Sequence, residues 1–339
     1  MDSFAKLKPD ERQPYLEETA ARCDFTRTAV EKDFWVCWTL RHLFALEKLP
    51  ALSFKGGTSL SKVFGLINRF SEDIDISINR AALGFSGERD PGNLALTKNK
   101  RETLRAELSA AIIKEVRSDI LPKLHVRFQS VLGNDGWELV PSEDANEEMT
   151  LLFRYPHIFK YDAYLGPQIK IEFGRGDQEP SEKAPVTPFV AERFPDMFVD
   201  KSAVVIALDS QRTFWEKVTL LHAENHRPDP TKLKPNMARH WSDVAVMSSA
   251  ERFNDQNLSL KLLNDVIKFK QAHFPSNWAH FETAVAPTLL IVPNETLREI
   301  LRKDYQQMEE MFPGKRLSFD EILVVLAGLQ ARMNALEQK

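Results

Sequence analysis

The stretch from Phe54 to Ile78 limits the possible folds of this chain more than any other. It reads as strand end, glycine turn, one helix, turn and second strand. Gly56 and Gly57 let backbone approach a ligand closely. Thr58 or Ser59 is placed to cap the following helix, whose free N–H groups can receive a phosphate. Leu60, Val63, Phe64 and Ile67 fall at helical spacing, which predicts a helix from about Leu60 to Asn68. The run from Asp73 to Ile78 then alternates. Side chains two apart on a strand share a face, so Asp73 and Asp75 point one way and Ile74, Ile76 and Ile78 point into a core. Two neighbouring carboxylates repel unless a cation lies between them, and the pair is suited to Mg²⁺ or Mn²⁺ held together with nucleotide phosphates. An Asp-x-Asp pair alone also occurs on solvated strands and in metal-dependent glycosyltransferases. The glycine turn one short helix upstream narrows the choice.

That combination resembles the polymerase-beta-like nucleotidyltransferase superfamily. The wording Gly56-Gly-Thr-Ser-Leu60 followed by Phe70-Ser-Glu-Asp-Ile-Asp75 resembles, more narrowly, the AbiEii and MenT-like toxins of type IV toxin–antitoxin systems. Glu31-Lys-Asp-Phe-Trp-Val36, Thr213-Phe-Trp-Glu-Lys217, Arg239-His-Trp-Ser-Asp-Val244, Arg302–Phe312 and Leu317–Leu323 are similar to further stretches of that family. The likeness therefore runs with gaps from about Val30 to Asn334, leaving about 81–165 unmatched.

The chain has 339 residues, 43% of them hydrophobic, enough for a large core and for two domains. A net charge of −4 excludes a global basic field, so a nucleic-acid partner has to be held by local patches. Cys23 and Cys37 are the only cysteines, and no disulfide framework is expected. The first residues lack a signal-peptide layout, and the longest apolar runs are too short to span a bilayer. These features point to a cytoplasmic protein without a membrane partner.

Residues 10–47 read as helical, and Glu31–Asp33 as the charged face of a packing helix. Residues 81–97 read as a loop, and Thr97 to Leu121 as a helix stopped by Pro122. Between Lys98 and Arg127, eight basic residues face four acidic ones, either an RNA-backbone stripe or a solvated helix with Glu–Lys pairs. His125–Leu132 and Trp137–Val140, flanking Gly133–Gly136, read as a hairpin. Met149–Tyr155 and Gln168–Phe173 read as strands. The superfamily resemblance implies a third carboxylate from a neighbouring strand, with Glu172 the candidate; the other reading is a solvent-facing residue on an edge strand. Pro180 to Pro195, with four prolines, reads as an extended connector.

Ala203–Leu208 reads as a short buried strand, with Asp209 or Ser210 capping the helix that carries Phe214, Lys217, Val218 and Leu221 on one face. A lysine on an apolar stripe either snorkels to water or meets an anion. The family resemblance implies that Lys217 faces the nucleotide triphosphate and that Asp243 is functional. Asp243 is also spaced to pair with Arg239 one turn away, and His240 reads as a surface histidine. From about Leu258 the chain reads as a helical bundle without chemistry of its own.

The expected fold class is α+β. A nucleotidyltransferase-like mixed sheet with helices fills an N-terminal lobe, residues 1–200, and a mostly helical C-terminal lobe, 201–339, contributes Lys217 and Asp243 to a cleft. Asp73, Asp75 and Glu172 would bind the metal, and Gly57, Thr58, Ser59 and Lys217 the nucleotide. The resemblance implies transfer of a nucleotide from an NTP to the 3′ end of tRNA, blocking aminoacylation and translation, and a cognate antitoxin encoded nearby. Nucleotidylation of another RNA, of a protein hydroxyl or of a small molecule such as an aminoglycoside stays open, as does a non-catalytic nucleotide-binding module.

Overall fold

A computed structural model describes residues 1–160, 166–176 and 181–336. In chain order the helices are α1 (Asp2–Ala5), α2 (Pro9–Cys23), α3 (Arg27–Phe44), α4 (Gly56–Lys62), α5 (Lys98–Glu115), α6 (Leu121–Leu132), α7 (Phe189–Arg193), α8 (Ser210–Asn225), α9 (Ala238–Met247), α10 (Leu260–His273), α11 (Glu295–Gln307) and α12 (Phe319–Asn334). The strands are β1 (Leu52–Lys55), β2 (Ile74–Ile78), β3 (Glu138–Pro141), β4 (Thr150–Arg154), β5 (Gln168–Gly174), β6 (Ser181–Val186) and β7 (Ala203–Leu208). The fold is mixed α and β. The strands form one seven-stranded sheet in the order β3-β4-β5-β2-β1-β7-β6. β1 runs antiparallel to β2 and parallel to β7, and β2 runs parallel to β5.

The chain divides into two compact units. Met1–Gly65, Phe70–Asp90 and Glu102–Leu208 form the first, which holds the whole sheet; Leu66–Arg69, Pro91–Arg101 and Asp209–Lys339 form the second. No single cut in the sequence anticipates that two short segments of the N-terminal half cluster with the C-terminal helices.

The central strand follows its alternation: Ile74, Ile76 and Ile78 are fully buried, as is Phe54 on β1. α3 is buried along nearly its whole length, and its Trp35 and Trp38 rings meet Phe153 of β4 at 6.0 and 5.8 Å between centroids. Glu31, Lys32 and Asp33 are also buried, so they do not form the expected exposed charged face.

Four further readings are corrected. The helix beginning at Lys98 does not stop at Pro122. It passes through a π-helical turn, Val116–Ile120, into α6, where Pro122 sits in the first turn. The cause is a strict four-residue stripe: Leu104, Leu108, Ile112, Val116, Ile120, Leu124 and Phe128 are all fully buried. Four residues advance an α-helix by about 400°, so such a stripe drifts by about 40° per step, and one wider turn takes part of that drift back. His125–Leu132 is therefore helix, not the first strand of a hairpin, and Gly133–Gly136 joins helix to strand.

The stretch from 180 to 195 is not merely a connector: within it, Ser181–Val186 forms edge strand β6 and Phe189–Arg193 forms α7, while Pro180 lies outside the described residues. An edge strand tolerates Pro185 because one side of it needs no N–H donor. Finally, α4 is shorter and earlier than expected. It starts at Gly56 and ends at Lys62, its N-cap is Lys55, and neither Thr58 nor Ser59 caps it.

Candidate active site

Asp73 and Asp75 flank Ile74 at the start of β2, and the register of β2 with β5 sets Asp75 beside Glu172 and Ile74 beside Ile171. The alternation of β5, with Ile169, Ile171 and Phe173 buried, turns Glu172 to the face that carries the two aspartates. β5 lies between β4 and β2, so Glu172 is not on an edge strand. Burial first, and then the charges of Asp75 and Asp73, push the Glu172 carboxyl up to about 7. Lys170 pulls the other way, but it is also bound to Glu147 at 2.5 Å. On the other side, Lys55 of β1 stands opposite Asp75 in the antiparallel register and brings a cation to the same face.

Three oxygen donors of this kind suit a hard divalent cation. Among the described residues, no three His, Cys, Asp or Glu side chains form a group able to hold a metal ion by themselves.

The glycine turn meets this face directly. Gly56 has φ +79°, and a Cβ there would lie 1.9 Å from Asp75 Oδ2. Gly56 is thus required both by its backbone angle and by the carboxylate resting on its α-carbon. Thr58 Oγ1 donates to the Asp73 carbonyl at 2.6 Å and lies 3.0 Å from Ser71 Oγ, which ties α4 to the start of β2. Ser59 is 1% exposed, and its hydroxyl has no hydrogen-bond partner among the described residues.

Helix α3 braces the same region through three consecutive charges. The Glu31 carboxylate accepts from the backbone N–H of Ile158 at 2.7 Å. Lys32 binds Glu72, next to Asp73 in the chain, and donates to the Gly166 carbonyl at 3.1 Å. Asp33 holds Lys62, the last residue of α4, at 2.8 Å and accepts from Phe189 N–H at 2.7 Å. Each carboxylate or ammonium has a partner, so burying them does not leave a bare charge. The sequence match at Glu31–Asp33 thus marks a clasp that fixes the chain between Lys62 and Glu72 at both ends.

The second unit holds the other two candidates. Lys217, 7% exposed on α8, lies 2.9 Å from Asp243 Oδ2 on α9. The anion it meets is therefore the protein's own. Asp243 is not engaged with Arg239, as its one-turn spacing allowed. It makes a two-pronged bond to Arg69, whose Nε and Nη2 donate to Oδ1 at 2.7 Å and Oδ2 at 2.8 Å. Burial pushes the Asp243 carboxyl up, but Arg69 and then Lys217 outweigh it and hold the group well below the carboxylate range. For Lys217, burial pulls the ammonium down, against Asp243 and together with Arg69.

His240 is not a surface histidine. Its Nδ1 lies 3.2 Å from Lys217 Nζ, and burial followed by the charge of Lys217 keeps the ring neutral. A neutral Nδ1 accepts from the ammonium. The sequence reading missed Arg69. Its signal was a lone cation between apolar Ile67 and Phe70, directly before the Ser-Glu-Asp run.

Beside this cluster, within the second unit, lies a cavity of about 330 Å³. Arg69 and Asp243 line it, together with Tyr305, Phe312 and Arg316. The C-terminal helices therefore enclose more than a packing core.

Comparison with known proteins gives a family and seven matching chains of solved structures. The family model described as "Nucleotidyl transferase AbiEii toxin, Type IV TA system" matches residues 38–325. Among solved structures, the chain is similar to MenT4, a nucleotidyltransferase toxin from Mycobacterium tuberculosis H37Rv, at 15% identity, covering 89% of this chain and 99% of that one. The TM-score is 0.36, too low to carry a statement about the fold. No curated protein matches.

Proposed function

This chain belongs to the AbiEii family of nucleotidyltransferase toxins of type IV toxin–antitoxin systems, and we propose that it transfers a nucleotide from an NTP to the 3′ end of tRNA. The observation that carries this reading is the face on which Asp73, Asp75 and Glu172 meet, set against a glycine on which the Asp75 carboxylate rests.

Asp73 and Asp75 hold a divalent cation, Mg²⁺ or Mn²⁺, and Glu172 is the third carboxylate. Such a cation supplies neutralisation of phosphate charge and alignment of the reacting oxygens. Backbone at Gly57, Thr58 and Ser59 contacts the phosphates, a role that family likeness supports and that leaves the Thr58 hydroxyl to its structural bonds. An acceptor hydroxyl attacks the α-phosphorus, a new P–O bond forms, the bond to the β-phosphate oxygen breaks, and pyrophosphate leaves. Lys217 offsets the charge that grows on that leaving group. Asp243 is a positioning residue. Both its oxygens are engaged, and a carboxylate held so acidic is a poor proton acceptor, so it orients Lys217 and does not take the proton.

Loss of the tRNA 3′ hydroxyl to an added nucleotide blocks aminoacylation and hence translation. The type IV family implies an antitoxin partner; we infer that it is encoded nearby. Among the described residues no helix is long and apolar enough to cross a membrane, which agrees with action in the cytoplasm.

The test is to mix purified protein with Mg²⁺, each labelled NTP in turn and total cell RNA. Label in tRNA is the expected result. Label in protein alone would move the acceptor to a protein hydroxyl, and label nowhere would overturn transfer itself.

A further inference from the structure

The cavity in the second unit is built for a flat, hydrogen-bonding ligand. One wall is the guanidinium of Arg316. It lies 4.6 Å from the Tyr305 ring centroid and 5.3 Å from that of Phe312, and it donates to the Tyr305 carbonyl at 3.0 Å. Tyr305 is itself fixed, its hydroxyl donating to the Leu317 carbonyl at 2.9 Å. Arg316 is therefore a pre-set plane, and arginine planes and aromatic rings are the surfaces on which nucleobases stack. Polar groups line the same space: the hydroxyl of Ser242 and the amide of Asn68, whose side chain makes no hydrogen bond among the described residues. An amide offers both a donor and an acceptor, as the edge of a base requires. The volume, about 330 Å³, is at the small end of ligand sites, which run from about 300 to 1,000 Å³. Arg69 and Asp243 close the cavity on one side, and Asp243 also binds Lys217.

We propose that this cavity binds a nucleoside, stacking the base on Arg316 and reading its edge with Asn68 and Ser242. The identity of the ligand rests on the nucleotidyltransferase reading, since both the NTP and the RNA terminus carry a base. Because the Arg69–Asp243 pair joins the cavity to Lys217, an occupied cavity and an oriented Lys217 share one rigid wall. The sequence reading left this region as plain bundle because Tyr305, Phe312 and Arg316 come from the end of α11 and the turn before α12, where no periodicity marks a site.

The experiment uses the full chain with adenosine, guanosine, cytidine and uridine, without metal or acceptor, followed by saturation-transfer NMR. Two variants accompany it. Val246→Phe fills the cavity, and Arg316→Met keeps bulk but removes the plane; thermal melts report whether each is folded. Saturable binding of at least one nucleoside, weakened about tenfold or more in either folded variant, is the expected result.

In transfer assays the same variants identify the source of the base. A raised KM for NTP alone assigns it to the nucleotide, and a raised KM for RNA alone assigns it to the acceptor. The proposal is overturned if no nucleoside binds saturably, or if a folded variant leaves nucleoside binding within about twofold of wild type. Asp73→Asn separates the two proposals. It stops transfer but leaves nucleoside binding intact, so a chain that binds nucleosides yet labels no acceptor keeps this cavity assignment and loses the activity.

Discussion

Two carboxylate clusters in this molecule have opposite electrostatics. On the sheet, Glu172 faces Asp75 and Asp73 and is pushed up to about 7, by burial first and then by those two like charges. Among the helices, Asp243 is 2% exposed, yet it is held far below the carboxylate range because Arg69 and Lys217 surround it. Depth of burial therefore does not decide which carboxylate is acidic; the company it keeps does. The first cluster is the proposed seat of a cation. The second is complete and acts as scaffold for a lysine. Family likeness alone gave Asp73, Asp75 and Asp243 the same status.

The largest effect expected from this difference is on folding. Asp243→Asn removes the carboxylate that Arg69 and Lys217 both engage, a change of about 3–5 kcal/mol. Urea unfolding should show that loss, and little change in stability would mean that the cluster is hydrated and loose. Asp75→Asn should do the reverse. It removes one of several repelling carboxylates, so stability holds or rises, while transfer falls by about 10²-fold or more. Near-normal transfer by a folded Asp75→Asn protein in Mg²⁺ would remove the metal assignment.

Lys217→Met keeps the stem of the side chain and drops its charge, and Asp243 keeps Arg69. Turnover should fall by about 10²-fold, in kcat as well as in nucleotide binding, if charge on the leaving group is what the lysine meets. A kcat within a few-fold of wild type would reduce Lys217 to a packing residue.

The two clusters also separate along the pH axis. Glu172 has a folded pKa near 7 and an unfolded value near 4.5, so the unfolded chain gives up its proton first. Without metal, the folded state should lose stability as the pH rises from about 4.5 to 7, by up to about 3 kcal/mol from this group. Glu172→Gln should flatten that slope, and added Mg²⁺ should restore stability at pH 8 in the wild type only. Asp243, held low, contributes stability that is present above its unfolded pKa near 3.8 and lost as the pH falls further. Melting curves from pH 3 to 8 test both limbs.

The smallest effect concerns the basic helix. Lys98, Lys100, Lys114 and Arg117 are exposed, whereas Arg101 and Arg105 are partly buried. Reversing Lys100, Lys114 and Arg117 to Glu should flatten the salt dependence of tRNA binding by about 0.7–0.9 per lost phosphate contact. Nucleoside affinity should not change. An unaltered slope would take this helix off the RNA surface.

How much of this was legible depended on whether a signal was local. The strand at Ile74–Ile78 was, because alternation is a two-residue pattern. The face of α8 was as well, because Phe214, Lys217 and Val218 repeat at helical spacing. The second partner of Asp243 was not: Arg69 and Asp243 are 174 residues apart and carry no shared pattern. The helix through Pro122 was misread for a related reason. Its four-residue stripe is visible in sequence, but a proline weighs more than a slow drift in phase when residues are read singly. The clasp on α3 was visible as charge and misjudged as surface, since nothing near Glu31, Lys32 or Asp33 shows that their partners come from residues 62, 72 and 158.

Gly56 has a genetic consequence. Most single-base changes in a glycine codon replace it with a side chain, and here the first carbon of any side chain would occupy the place of the Asp75 carboxylate. The surrounding sheet and α3 clasp do not depend on that atom. A population forced to carry this gene without protection therefore has a one-step exit at codon 56. Its survivors should accumulate full-length, folded and inert chains, as well as truncations.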